Sequence, residues 1–238
     1  MKTEHIEYEA DGVRMVGTLT VDNRHAEKRP GVLVIHEAGG LSDHARGVAE
    51  RLAALNYVAF AMDYFGDGKA PSDWSKIAEQ LETWRADPTG IRARGLAALE
   101  VLKAQPETDV TKLAAIGYCF GGTTALELGR AGADLKAIVG FHSGLQTARP
   151  QDAANIKGKV LVAIGTADPI IPPEQRAAFE AEMTAADVDW RMTLYGGVGH
   201  SFTNPAVDAL NRPGLKYDQQ ADHRAWRAMI DLFDETLA

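Results

Sequence analysis

Apolar residues along this chain fall into two kinds of run. The first kind is short and almost wholly apolar: Gly31 to His36 (GVLVIH), Tyr57 to Met62 (YVAFAM), Leu113 to Ile116, Leu135 to Phe141 (LKAIVGF) and Val160 to Ile164 (VLVAI). Runs of this length and purity predict strands buried on both faces of a sheet. The second kind is longer, with apolar residues at helical spacing. Val48, Leu52 and Leu55 share one face of a segment that Ser42 or Asp43 can cap and Asn56 would end. Trp74, Ile77, Ala78, Leu81 and Trp84 mark a helix over 74–86. Asp87-Pro88 reads as an N-cap followed by proline at the first helical position, opening a helix to about Ala104. Further helices are predicted for 123–130, for about 172–186 behind Pro172-Pro173, and for 218–237 with Trp226, Met229, Ile230, Phe233 and Leu237 inward. At the start of the chain, Ile6 and Tyr8 alternate with polar residues, Asp11-Gly12 signals a hairpin turn, and Val13 to Val21 reads as the returning strand. Val188, Trp190, Met192 and Leu194 alternate as a last strand.

Strands that alternate with helices predict an α/β architecture: a mostly parallel twisted sheet of about eight strands, covered by helices on both faces, with an antiparallel pair at its start. No internal repeat, low-complexity segment or linker interrupts the 238 residues, so a single domain spanning 1–238 is expected, without a large lid domain. Composition adds little to this and removes a good deal. The net charge of −8 and the lack of a basic run speak against nucleic acid as a partner. No stretch is apolar enough to span a membrane, and the first residues lack the apolar core of a signal peptide. One cysteine allows no internal disulfide, and a cytoplasmic setting is expected.

In such a sheet, functional groups collect outside the C-terminal ends of the strands. That rule selects Glu37, Asp63, Tyr64, Cys119, His142, Asp168 and His200 before any chemistry is considered. Cys119 stands out, because Gly117-Tyr118-Cys119-Phe120-Gly121-Gly122 joins a strand to a helix as a nucleophile elbow does, with cysteine in place of serine. A thiol needs a base and a favourable field to react as thiolate, and the following helix N-terminus supplies part of the field. His200, in a glycine-rich loop after the last strand, is the candidate base, and Asp168, after the preceding strand, the group that orients it. Nucleophile, acid, histidine is the chain order of the α/β-hydrolases. His5, His25 and His223 read as surface residues, and His36 and His44 as structural ones. Gly66-Asp67-Gly68-Lys69 lacks the spacing of a phosphate loop, and the Asp and His residues are too dispersed to predict a metal site.

Together, Gly-Tyr-Cys-Phe-Gly-Gly at 117–122, Asp168, Gly-His-Ser-Phe at 199–202 and Glu37 after the first buried strand resemble the dienelactone hydrolase (carboxymethylenebutenolidase) family of α/β-hydrolases over nearly the whole chain. The resemblance implies hydrolysis of a lactone or carboxylic ester through an acyl-enzyme on Cys119, with no metal or organic cofactor and a small molecule as partner. It implies that Glu37 contacts the thiol and helps form the thiolate. It also implies an oxyanion hole built from the backbone N–H groups of Phe120 and Ala38. Tyr64, Trp84, Arg85, His142 and Ser201 are candidates to line the substrate pocket. The family binds a substrate carboxylate with two arginines. One should follow the Gly-His-Ser-Phe run, yet here Thr203-Asn204-Pro205 follows, with no arginine until Arg212. The same motifs would also serve a general carboxylesterase or thioesterase, or a binding protein that has kept the fold and lost the chemistry.

Overall fold

The computed structural model describes residues 1–24, 27–69 and 72–238; His25 lies outside the described residues. Eight strands are present, β1 (Lys2–Ala10), β2 (Val13–Val21), β3 (Arg29–Ile35), β4 (Val58–Met62), β5 (Thr108–Tyr118), β6 (Ala137–Phe141), β7 (Lys159–Gly165) and β8 (Trp190–Tyr195). They form one sheet in the order β1-β2-β4-β3-β5-β6-β7-β8. β1, β2 and β4 pair antiparallel, and every later pairing is parallel, as the alternation of strands and helices predicts.

The helices are α1 (Asp43–Ala54), α2 (Trp74–Ala86), α3 (Thr89–Lys103), α4 (Phe120–Arg130), α5 (Pro173–Ala185) and α6 (Gln219–Thr236). The strands alternate cleanly between two cores. Val32 and Val34 of β3 join the apolar faces of α1 and α6 on one side, while Leu33 and Ile35 join α2 to α5 on the other. Successive side chains of a strand point to opposite faces, so a run with no polar residue is what a two-sided sheet requires. Helix starts follow ordinary chemistry: Asp73 accepts from the Ser75 N–H and Asp218 from the Ala221 N–H. The third helix departs from expectation. It begins at Thr89 with Pro88 as its N-cap, because the Asp87 side chain accepts from both the N–H and the hydroxyl of Thr89 and closes a local turn.

The chain leaves β3 for β4 on one side and returns to pair β5 on the other. β3 and β5 therefore form the switch point of the sheet, where a crevice opens between two outgoing loops. Register aligns those loops. Ile35 pairs with Gly117, Gly117 with Gly140, and Gly140 with Val162. Helix α4 starts in that crevice and is pinned at its far end. Buried Arg130 donates to Glu127, to Glu182 of α5 and to the Leu145 carbonyl, while Arg92 of α3 bonds Glu127 and Asp152. Such buried ions are tolerable only because each is paired on several sides.

Candidate active site

Cys119 is the single residue between β5 and α4, and it holds φ 54° and ψ −119°. Eight described residues other than glycine have positive φ, and five are Asp or Asn, which tolerate that region. The other three are Cys119, His142 and Ser201. Backbone strain of this kind persists only where the surroundings impose it, and here it gathers at one place. The elbow needs its glycines. A Cβ on Gly117 would stand 2.0 Å from the Gly121 carbonyl oxygen, and one on Gly121 would stand 2.3 Å from that of Ile35.

The Cys119 N–H is held from below by the Phe141 carbonyl at 3.0 Å and by His142 Nδ1 at 3.2 Å. Since Nδ1 accepts, the proton of the neutral His142 ring sits on Nε2, which donates to Thr203 Oγ1 at 2.9 Å. Burial keeps His142 neutral by pushing its pKa well down, and the positive charges of His200 and His44 push the same way. His142 thus ties the elbow to the loop that carries His200.

Asp168 follows β7. One carboxylate oxygen accepts from the Ile170 N–H at 2.8 Å and the Ile171 N–H at 3.3 Å; the other lies 2.7 Å from His200 Nδ1. The loop that carries His200 is stitched down by its backbone. The His200 N–H donates to the Gly214 carbonyl, Lys216 N–H donates back to the His200 carbonyl, and Phe202 anchors the segment in the core. His200 Nε2 is buried and makes no completed hydrogen bond at rest, which leaves it for the sulfur. Burial alone would lower the His200 pKa. The negative charge of a Cys119 thiolate and the hydrogen bond to Asp168 outweigh that and hold it up at about 10.

Cys119, His200, Glu37 and Ser201 open into a cavity of about 350 Å³ that Ala38 also lines. Neither the Ala38 N–H nor the Phe120 N–H makes a hydrogen bond to a described residue, and the latter is the first amide of α4. Two free amides beside a nucleophile are what a developing oxyanion requires. Glu37 is placed differently from expectation. Its carboxylate accepts from Asn204 Nδ2 at 2.6 Å and lies 3.7 Å from His44 Nδ1, and Cys119 is not among its hydrogen-bond partners. A carboxylate fixed against the sulfur would oppose thiolate formation, and the Asn204 amide offers it a better partner.

Of the five residues expected to line the pocket, Ser201 does so and four do not. Tyr64 is fully buried, stacked on His36 at 3.7 Å, and its hydroxyl donates to the Glu37 carbonyl, so it braces the wall from behind. Trp84 packs in the core against Tyr64 and Phe120. Arg85 is turned to Glu82 and lies 5.7 Å from the Phe120 ring. His142 is wholly buried beneath the elbow. Conversely, Trp74, Ile170, Asn204, Leu210 and Arg212 line the cavity, and no motif or strand end marks them in the sequence. Trp74 shares its helical spacing with Ile77, Leu81 and Trp84, yet as the first residue of α2 it is half-exposed. Among the described residues no group of three or more His, Cys, Asp or Glu side chains is arranged to hold a metal ion, and no helix is long and apolar enough to cross a membrane.

The sequence model of the Dienelactone hydrolase family matches residues 16–237. Protein usf of Aquifex pyrophilus is 28% identical, with 98% of each chain covered. A solved structure named m3DLH is 47% identical, covers 100% of this chain and 99% of its own, and superposes with a TM-score of 0.96. The crystal structure of a dienelactone hydrolase-like promiscuous phosphotriesterase from metagenomic libraries is 40% identical over the same shares, with a TM-score of 0.94.

Proposed function

The chain belongs to the dienelactone hydrolase family and is an ester or lactone hydrolase; on that premise we propose that it works through a Cys119 thiolate, with His200 and Asp168 as its partners and an acyl-enzyme as intermediate. The observation that carries this reading is the buried His200, 2.7 Å from Asp168 on one nitrogen, with its other nitrogen unpartnered in the cavity it shares with Cys119. An imidazolium so placed favours a thiolate, the form of sulfur that attacks.

The Cys119 sulfur attacks the ester carbonyl carbon and forms a C–S bond. The carbonyl π electrons move onto oxygen, where the Phe120 and Ala38 N–H groups receive the charge. Donors of this kind are worth about 10²–10³ in rate each. The tetrahedral adduct collapses, the C–O bond breaks, and His200 Nε2 gives its proton to the departing alkoxide. His200, now neutral, takes a proton from water as the water oxygen attacks the thioester. The C–S bond breaks, the carboxylic acid leaves, and the thiolate–imidazolium pair is restored. Asp168 keeps the ring in the tautomer and orientation that both proton transfers need. Glu37 enters, in this reading, only by leaving Asn204, as an entering substrate could make it do.

The test is Cys119→Ala. Turnover of an activated aryl ester should fall to the background of the oxyanion hole and binding alone, and undiminished turnover would end the proposal. A second reading comes from the likeness to the promiscuous phosphotriesterase: the same sulfur attacking the phosphorus of a neutral triester. It predicts that triester turnover, measured beside ester turnover, disappears in the same variant.

A further inference from the structure

Eight large apolar side chains stand exposed among the described residues, and three of them meet at one mouth. Trp74 is 50% exposed, Ile170 45% and Leu210 53%, and all three line the cavity above Cys119. They come from three unrelated segments: the first turn of α2, the turn after β7, and the 3-10 helix Pro205–Leu210. In the same cavity, Val207 and Leu215 add to the apolar lining. Scattered exposed apolar residues need no explanation, but a contiguous set on the wall of a site does, because its burial against a ligand is favourable.

The wall has a definite side. Ile170 sits on the turn whose N–H fixes Asp168, and Leu215 is paired by a β-bridge with His200. Leu210 lies in the segment between His200 and Leu215. These residues therefore flank the acid–histidine half of the site, and it is His200 Nε2 that must reach the leaving oxygen. Arg212 is the only lysine or arginine lining the cavity among the described residues, and it forms no ion pair with any described carboxylate; its guanidinium lies 5.4 Å from the centre of the Trp74 ring. That packing extends the flat face of the wall.

We propose that the substrate is a neutral ester whose alcohol or phenol portion is bulky and apolar, seated against Trp74, Ile170 and Leu210. This rests on the reaction proposed above and adds the class of leaving group. It differs from a small carboxylate-bearing lactone, whose charge would meet apolar side chains along most of this wall. Burying successive methylenes there strengthens binding in the transition state for acylation, so kcat/KM should climb about threefold to fourfold for each one added.

The experiment uses acetate esters of phenol and its 4-methyl, 4-ethyl, 4-propyl and 4-butyl derivatives, in which the reactivity of the leaving group barely changes while its length grows. The expected result is a steady rise of kcat/KM along the series in the wild-type enzyme. In Trp74→Ala, Ile170→Ala and Leu210→Ala, each at a half-exposed position where folding is not at stake, the ratio of the 4-butylphenyl to the phenyl ester should drop at least fivefold. A wild-type series flat to within twofold, or variants that leave the ratio unchanged, would overturn the proposal. So would a 4-(3-carboxypropyl)phenyl ester turned over tenfold faster than the 4-butylphenyl ester, since Arg212 would then be reading an anion. Cys119→Ala run on the same esters separates the two levels: retained turnover there strikes the thiol mechanism, while a flat series with dead Cys119→Ala strikes only the assigned leaving group.

Discussion

Asp168→Asn is the sharpest probe of the proton machinery, because the structure dictates how the amide must sit. One oxygen of Asp168 accepts from the Ile170 and Ile171 N–H groups, and only an acceptor can stay there. The Asn oxygen keeps that place, and its NH₂ is turned onto His200 Nδ1, 2.7 Å away in the wild type. Two donors cannot share that line, so the neutral imidazole adopts the tautomer with a bare Nδ1 and a protonated Nε2. That ring cannot take a proton from Cys119 or from water. It also loses the charge of Asp168, which helps hold the His200 pKa up. The equivalent loss of a usable tautomer in a serine triad costs about 10⁴ in kcat, so kcat/KM at neutral pH should fall about 10³–10⁴-fold, or roughly 4–5.5 kcal/mol. The assay is kcat/KM for phenyl acetate between pH 6 and 10, beside a thermal melt showing that the variant is folded. Part of the loss should return at high pH, where solvent hydroxide removes the thiol proton. A folded variant within tenfold of wild type at pH 7 would refute the reasoning.

Two further outcomes follow from the same site. In Cys119→Ala, burial remains and the leading cause that raises the His200 pKa is gone, so the value should drop from about 10 to well below it, read from imidazole nitrogen shifts in an NMR titration; a ring still titrating near 10 would show that the sulfur is not what holds the proton. The linked stability has a definite sign: His200 gains protonation on folding, so its contribution is complete below the ordinary value of 6.5, fades as pH rises, and is lost above about 10. Thr203→Val keeps the shape beside His142 but leaves the buried Nε2–H without an acceptor, at a cost of about 1–3 kcal/mol, which a denaturant titration would register. Unchanged stability would mean that the Thr203 hydroxyl is not what satisfies the buried His142 ring.

The strands were legible because both faces of this sheet are covered: GVLVIH and VLVAI leave no room for a polar side chain, and Val32 and Leu33 do go to opposite cores. The first half of β5 was not, since Asp109, Thr111 and Lys112 are polar and the register shifts at Pro30/Gly31 where β3 meets them. At the site, groups set by the ends of strands could be named from their order alone. What order does not reveal is depth. Tyr64 and His142 follow strands just as Glu37 and Cys119 do, yet they sit one layer down, where a ring stack and a pair of hydrogen bonds hold them. Helical spacing marks Trp74 as part of α2 but does not show that the first turn of the helix overhangs the core. Ile170, Leu210 and Arg212 come together only through loop geometry, for which no periodicity exists.

The shared register at Ile35, Gly117 and Gly140 separates two kinds of freedom in this molecule. Ala38, Cys119 and His142 lie two or three residues past that line, so hydrogen-bonded ladders set their spacing. A single inserted residue there would shift the sulfur against its amides by about 3.3 Å and end the reaction. Asp168 and His200 lie six and eight residues past Val162 and Met192, at the ends of slack that can be lengthened or shortened while the two still meet. The same slack carries Ile170, Leu210 and Arg212. Over evolutionary time, insertions and deletions in those two loops can therefore remodel what the enzyme accepts without moving the atom that attacks it.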